Sequence, residues 1–266
     1  MPIASRSKLK TSTVTIPVEP DWLTPKQNSV IAVQFIKQFL FLRGQLPSLY
    51  DALLAQEQQE NLSLAQSAVT NGRVRGPSNR RRGRDQRRRT NFLASAEALF
   101  TSLTTTDIFS STAETSVFLL LGPSTSAPRE VFELIFPASS SASNCSSEDG
   151  DQNEDDNISG QNRLEPVLQA RCRQIMRDFM MQAFNLPEGT APDRRCKIFI
   201  LSSAHGSETP PGFKVRRDFQ LRKGVHTRIV LQQDSFDDLK SYKMPRQAYL
   251  QSTAKLQGLV QPLHTG

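Results

Sequence analysis

The chain has 266 residues, of which 37% are hydrophobic, with a formal net charge of +7 and a mean hydropathy of −0.45. These values allow one large or two small domains and exclude a chain that is packed core throughout. The charge is concentrated: residues 73–89 hold nine arginines and one aspartate, a net +8, which leaves the rest at about −1, so the high pI belongs to a tract and not to a basic fold.

Residues 1–24 are rich in Thr, Ser and Pro and are expected to form a disordered N-terminus. Thr24-Pro25 then reads as an N-cap followed by a first-turn proline, opening a helix over Lys26–Gly44. Its apolar residues Val30, Ile31, Val33, Phe35, Ile36, Phe39, Leu40, Phe41 and Leu42 nearly encircle it. A helix apolar on most sides is central, with elements on both flanks. Gly44 and Pro47 stop it.

A second helix is expected from Leu49 to Gln59, extending toward Leu64. Residues 67–90 are polar and arginine-rich, and are expected to be a disordered insertion, because they bury too little apolar area to offset their chain entropy. Asn91–Leu103 places Phe92, Leu93, Ala96, Leu99, Phe100 and Leu103 on one helical side. Ser116–Gly122 is an apolar run of strand length, the mark of a strand covered on both faces. Arg129–Phe136 is its expected antiparallel partner across a Gly/Pro/Ser turn.

A serine-rich, acidic stretch, 138–163, is expected to be a second disordered insertion. Leu164–Phe184 returns to helical spacing, with Leu168, Cys172, Ile175 or Met176, Phe179 and Ala183 on one face. Val167, Met176, Met180 and Met181 widen that face, which suits either a helix packed on both sides or one that half-docks a partner. Strands follow at Arg195–Ala204, Phe213–Leu221 and His226–Gln232, the last two joined by Arg222-Lys223-Gly224. Apolar residues from Phe236 to Val260 predict that part of the tail lies against the domain. This order gives an α+β class, a mostly antiparallel sheet backed by about three helices.

No phosphate-cradling glycine motif is present. His205, His226 and His264 have no neighbour at metal-ligand spacing, and Cys145, Cys172 and Cys196 form no CxxC pair. The cysteine number is odd, and Cys172 and Cys196 sit in apolar runs as small buried hydrophobes, which suits a reducing compartment. The sequons at Asn61, Asn144 and Asn157 have no apolar leader before them and are expected to be chance matches. Neither a metal, nor a cofactor, nor an enzymatic activity is expected, and no apolar run is long enough for a membrane span.

The basic tract has three readings: a solvated loop, a nuclear import signal carried by Arg80, Arg81, Arg82, Arg84, Arg87, Arg88 and Arg89, or a phosphate-binding segment. It contains no aromatic platform for bases, so a nuclear nucleic-acid-associated protein acting through residues 73–89 is the alternative function, and the leading reading expects no nucleic acid. Ser146 and Ser147, beside carboxylates, are candidate phosphosites.

Three segments carry a family resemblance. They are FIKQFLFLRGQLPSLYDAL (35–53), VFLLLGPSTSAPREVFELIF (117–136), and RQIMRDFMMQAF (173–184) followed by CKIFILSSAHG and GFKVRRDFQLRKGVHTRIVL (212–231). In order and spacing they resemble the comet family, spindle-checkpoint silencers that bind the Mad-two checkpoint protein. The resemblance covers about half of the chain. It implies a HORMA-like fold with a C-terminal safety-belt-like segment over 25–266, and a non-enzymatic adaptor that binds closed Mad-two and presents it to a hexameric AAA+ ATPase. The Mad-two surface it implies comprises Leu42, Cys172, Ile175, Met176, Phe179 and Met180. Met176 (Ile175 in a register shifted by one) stands where the family has an aromatic, and Leu42 where it has a polar residue. The implied ATPase contact is Phe213, Lys214, Val215 and Arg216, with Val215 in place of the family's proline. The implied location is the nucleus and cytoplasm, on spindle or kinetochore in mitosis. A peptide-binding HORMA protein of another kind is a further alternative.

Overall fold

The computed structural model describes residues 9–19, 23–70, 78–109, 114–138, 166–183, 196–203, 209–217, 219–221, 224–232 and 248–259. Among these residues the fold is α+β, with four α-helices and an eight-stranded, mostly antiparallel sheet. The strands are β1 (Lys10–Pro17), β2 (Thr115–Gly122), β3 (Glu130–Phe136), β4 (Lys197–Ser203), β5 (Phe213–Arg216), β6 (Val225–Gln232), β7 (Tyr249–Ser252) and β8 (Leu256–Gln257). The helices are α1 (Pro25–Leu42), α2 (Tyr50–Thr70), α3 (Ser78–Thr105) and α4 (Pro166–Ala183). The strand order is β1-β6-β3-β2-β4-β7-β5, with β8 paired to β4.

Helix α1 follows its local signals. The Thr24 hydroxyl accepts from the Gln27 backbone N–H, the Gln27 side chain accepts from the Thr24 N–H, and Pro25 occupies the first turn, a reciprocal cap that satisfies two orphan donors. Gly44, at φ 61°, ends the helix, with its N–H donating to the Phe41 carbonyl. The helix lies on one face of the sheet. Val117, Leu119, Leu121, Phe132, Leu134, Ile198, Ile200, Ile229 and Ile16 point toward the helices, and every second residue points away. The opposite face carries a smaller cluster of Phe118, Leu120, Val131, Leu201, Phe219 and Tyr249. Strands β2 and β3 are therefore buried along their whole length, and their antiparallel pairing is the expected hairpin.

The N-terminal expectation needs correction. Residues 10–17 form an edge strand, β1, parallel to β6. Thr and Val are β-formers, and the alternation of Val14 and Ile16 with threonines lets Ile16 enter the core, fully buried. The basic insertion needs correction too, because α2 runs to Thr70 and α3 begins at Ser78. Composition accounts for burial alone, whereas this helix is held by a long-range ion pair. Arg89 Nε lies 2.6 Å from Glu57 Oε2, Arg89 also reaches Glu60, and the Thr90 hydroxyl donates to Glu57 at 2.5 Å. The acidic insertion lies outside the described residues, apart from Ala138.

β5 and β6 do not form a hairpin. β5 ends at Arg216 and pairs with β7, while β6 inserts between β1 and β3, parallel to both. Gly224, at φ 108°, makes that entry, because a Cβ there would meet the Arg129 and Pro128 carbonyl oxygens at 2.8 and 2.9 Å. The tail docks as expected over 248–259: β7 and β8 follow β4 along its length. Phe236, Leu239 and Val260 lie outside the described residues.

The Arg89 pairing predicts a contrast between neighbours. Arg89→Ala strips the counter-charge from the buried Glu57 carboxylate and is expected to cost about 3 kcal/mol in urea unfolding. Arg88→Ala, at an exposed position, is expected to stay within about 0.5 kcal/mol.

Candidate functional site

The candidate site is built where α1 and α4 pack. Four phenylalanines fix the contact: Phe179 lies 5.0 Å from Phe35 and 4.9 Å from Phe39, and Phe39 lies 4.3 Å from Phe132 of β3 (centroid distances). These rings set the rotation of α4. Cys172, Ile175 and Phe179, three and four residues apart, form its inner face and are buried. Gln174, Arg173, Arg177 and Met181 face outward. Met176 and Met180 lie on the flank, half-buried against the core.

Gln38 of α1 donates from Nε2 to Met180 Sδ at 3.4 Å. The methionine flank of α4 thus adjoins the exposed face of α1. At helical spacing, Gln34, Gln38, Phe41 and Leu42 share that face, and Phe41 and Leu42 are each 36% exposed. The result is a strip of apolar and amide groups across the two helices. Its sulfur and amide groups are adaptable contacts without catalytic geometry. α4 is also tied to the sheet edge, where Gln182 Nε2 donates to the Thr15 carbonyl at 2.9 Å.

Of the residues singled out in the sequence, Leu42, Met176 and Met180 are on this strip. Cys172, Ile175 and Phe179 are a correction: they are core, because the aromatic cluster turns them inward. Burial pushes the Cys172 thiol up to about 11, which leaves little thiolate at neutral pH. Gln38 and Phe41 were missed. Both lie within one turn of Leu42, and that spacing was the available signal.

The second group lies at the far edge of the sheet. Lys214 and Val215 of edge strand β5 are exposed, Val215 by 45%. Arg216 Nη1 donates to Gln251 Oε1 at 2.8 Å, which holds it over β7. Phe213 is a correction, because it is buried in the main core. Among the arginines, Arg84, Arg87 and Arg88 are exposed. Arg89 is withdrawn from any import signal by its pairing with Glu57 and Glu60. Arg80, Arg81 and Arg82 lie in α3, but their side chains are outside the described residues, as are Ser146 and Ser147. Neither a protein-family model nor a curated protein matches the chain.

The inward rotation of α4 is tested by two measurements. Phe179→Ala is expected to lower stability by about 3–5 kcal/mol, whereas Met181→Glu, at a position 69% exposed, stays within about 0.5 kcal/mol. In native protein at pH 8, Cys172 and Cys196, both buried, are expected to resist iodoacetamide. Peptide mass spectrometry should find them labelled only after unfolding.

Proposed function

We propose that this chain is a non-enzymatic adaptor that binds the closed conformer of Mad-two and presents it to a hexameric AAA+ remodelling ATPase, silencing the spindle checkpoint in the nucleus and cytoplasm. The observation that carries the proposal is the strip formed by Leu42, Phe41, Gln38, Met180 and Met176 on the helical side of the domain. Leu42, Met176 and Met180 are the members of the resemblance-implied Mad-two surface that are accessible in the fold, and Gln38 and Phe41 extend them. Half-exposed methionines beside an exposed phenylalanine suit a contact that re-packs on docking.

Two further features support the reading. The C-terminal strands β7 and β8 fill the edge of β4, so the chain supplies its own strand there and needs no threaded peptide. This favours a comet-like adaptor with a HORMA-like, self-closed tail over a peptide-binding HORMA protein. Edge strand β5 displays Lys214 and Val215 outward at the other end of the sheet, on a separate surface that would leave the ATPase free to engage while Mad-two is held. Conversion of Mad-two would belong to the ATPase, and this chain would position its substrate.

Size-exclusion co-elution with Mad-two tests the proposal. The full chain is expected to co-elute with Mad-two locked closed by a closure-motif peptide, and not with the open form. Leu42→Glu and Met180→Glu are expected to weaken that complex by at least about 2 kcal/mol, roughly thirtyfold, and the exposed Leu42→Glu is expected to do so with the thermal midpoint of the chain little changed. Absence of co-elution with either form would reject the adaptor reading.

A further inference from the structure

The arginine run is displayed on a helix, and the structure separates its members into two roles. Arg89 faces α2 and is held by Glu57 and Glu60. Arg84, Arg87 and Arg88 are exposed. At 3.6 residues per turn, Gly83, Arg84, Arg87 and Asn91 fall on the side of α3 opposite Arg89, with Arg88 at its border. The carboxylate nearest these guanidinium groups is Asp85, 3.9 Å from Arg88, with both side chains largely exposed. The first turn of α3 has no acidic residue, although Arg80, Arg81 and Arg82 follow closely. The positive end of the helix dipole therefore adds to the arginine charge instead of being offset.

We infer that this face of α3 is a docking surface for the phosphate backbone of double-stranded nucleic acid, recognised without regard to sequence. Charge complementarity carries the inference. Three exposed guanidinium groups on one turn of a helix span about 6 Å of axis, and a duplex presents one phosphate per ~1.7 Å of its length. Guanidinium groups pair with phosphate oxygens through two parallel N–H donors, a geometry that a point charge lacks. Gly83 carries no side chain on the same face: among the described residues nothing lies within 4 Å of where its Cβ would be, which favours close approach of a phosphate to the helix. With no aromatic residue between Ser78 and Asn91, the face offers no stacking platform for unpaired bases. Among the described residues, α3 meets α2 through Arg89 and Thr90, and its apolar residues from Phe92 to Leu103 are buried in the core, away from any membrane surface.

The salt dependence of duplex binding tests this inference. Fluorescence anisotropy would use the full chain with a labelled 20-base-pair DNA, two unrelated sequences, and 50 and 200 mM KCl. The expected result is equal affinity for both sequences and steep weakening with salt. R84E/R87E/R88E, at exposed positions that leave the circular dichroism unchanged, is expected to lower the affinity at least tenfold. It should also flatten the log–log salt slope by about 2.7, the value for three lost phosphate contacts. R84K/R87K/R88K keeps the charge and is expected to retain the slope while losing part of the affinity. No binding at 50 mM KCl, or binding unchanged by the charge reversal, would overturn the inference. So would equal affinity for poly-glutamate of matched charge, which would identify an acidic protein, such as an import receptor, as the occupant.

Discussion

The arrangement depends on the contact of α1 with the aromatic cluster of Phe35, Phe39, Phe132 and Phe179. Phe39 touches the sheet through Phe132 and touches α4 through Phe179, so one side chain couples both layers. Arg43, just beyond the helix, extends the contact: its guanidinium lies 5.1 Å over the Phe132 ring and 3.3 Å from the Glu130 carboxylate. Burying rings of this size contributes about 1.5–3 kcal/mol each, and aromatic pairing adds to it. Once the rings are seated, α4 has no freedom to rotate, and the same geometry that buries Ile175 leaves Met176 and Met180 at the surface.

The sheet has a different logic on its other face. Glu133, buried, lies 2.9 Å from His226 Nε2 and 3.2 Å from Arg228 Nε. Those two residues belong to β6, which pairs with β3 in parallel. A parallel partner cannot be placed by a tight turn, so its register must be set by side chains. A buried carboxylate opposite two basic groups can fix it, because a shift by one residue would send them to the other face. Beside this cluster, Phe118, Phe219 and Tyr249 stack edge to face and close the apolar part of the same surface.

Elements with local signals were legible in the sequence. The cap at Thr24-Pro25, the stop at Gly44, the β2–β3 hairpin and the periodicity of α4 all act within a few residues of one another. Features fixed by distant partners were not. The partner of β1 lies more than two hundred residues away. The arginine run is helical through a pairing with Glu57, 32 residues earlier, and composition does not encode that pairing. The strand at His226–Gln232 was legible, but not its place, because the parallel slot between β1 and β3 has no local signature. For the candidate site, periodicity identified the apolar positions of α4 but not which half turns inward. The cluster on α1 and β3 decides that.

Hydrogen–deuterium exchange on the full chain, alone and with closed Mad-two bound, tests the central claim most directly, because it reads the docking face without a substitution. New protection confined to residues 34–42 and 173–181, with β6 and β1 unchanged, is the result this account predicts. Protection located elsewhere, or none while the complex persists, would contradict it.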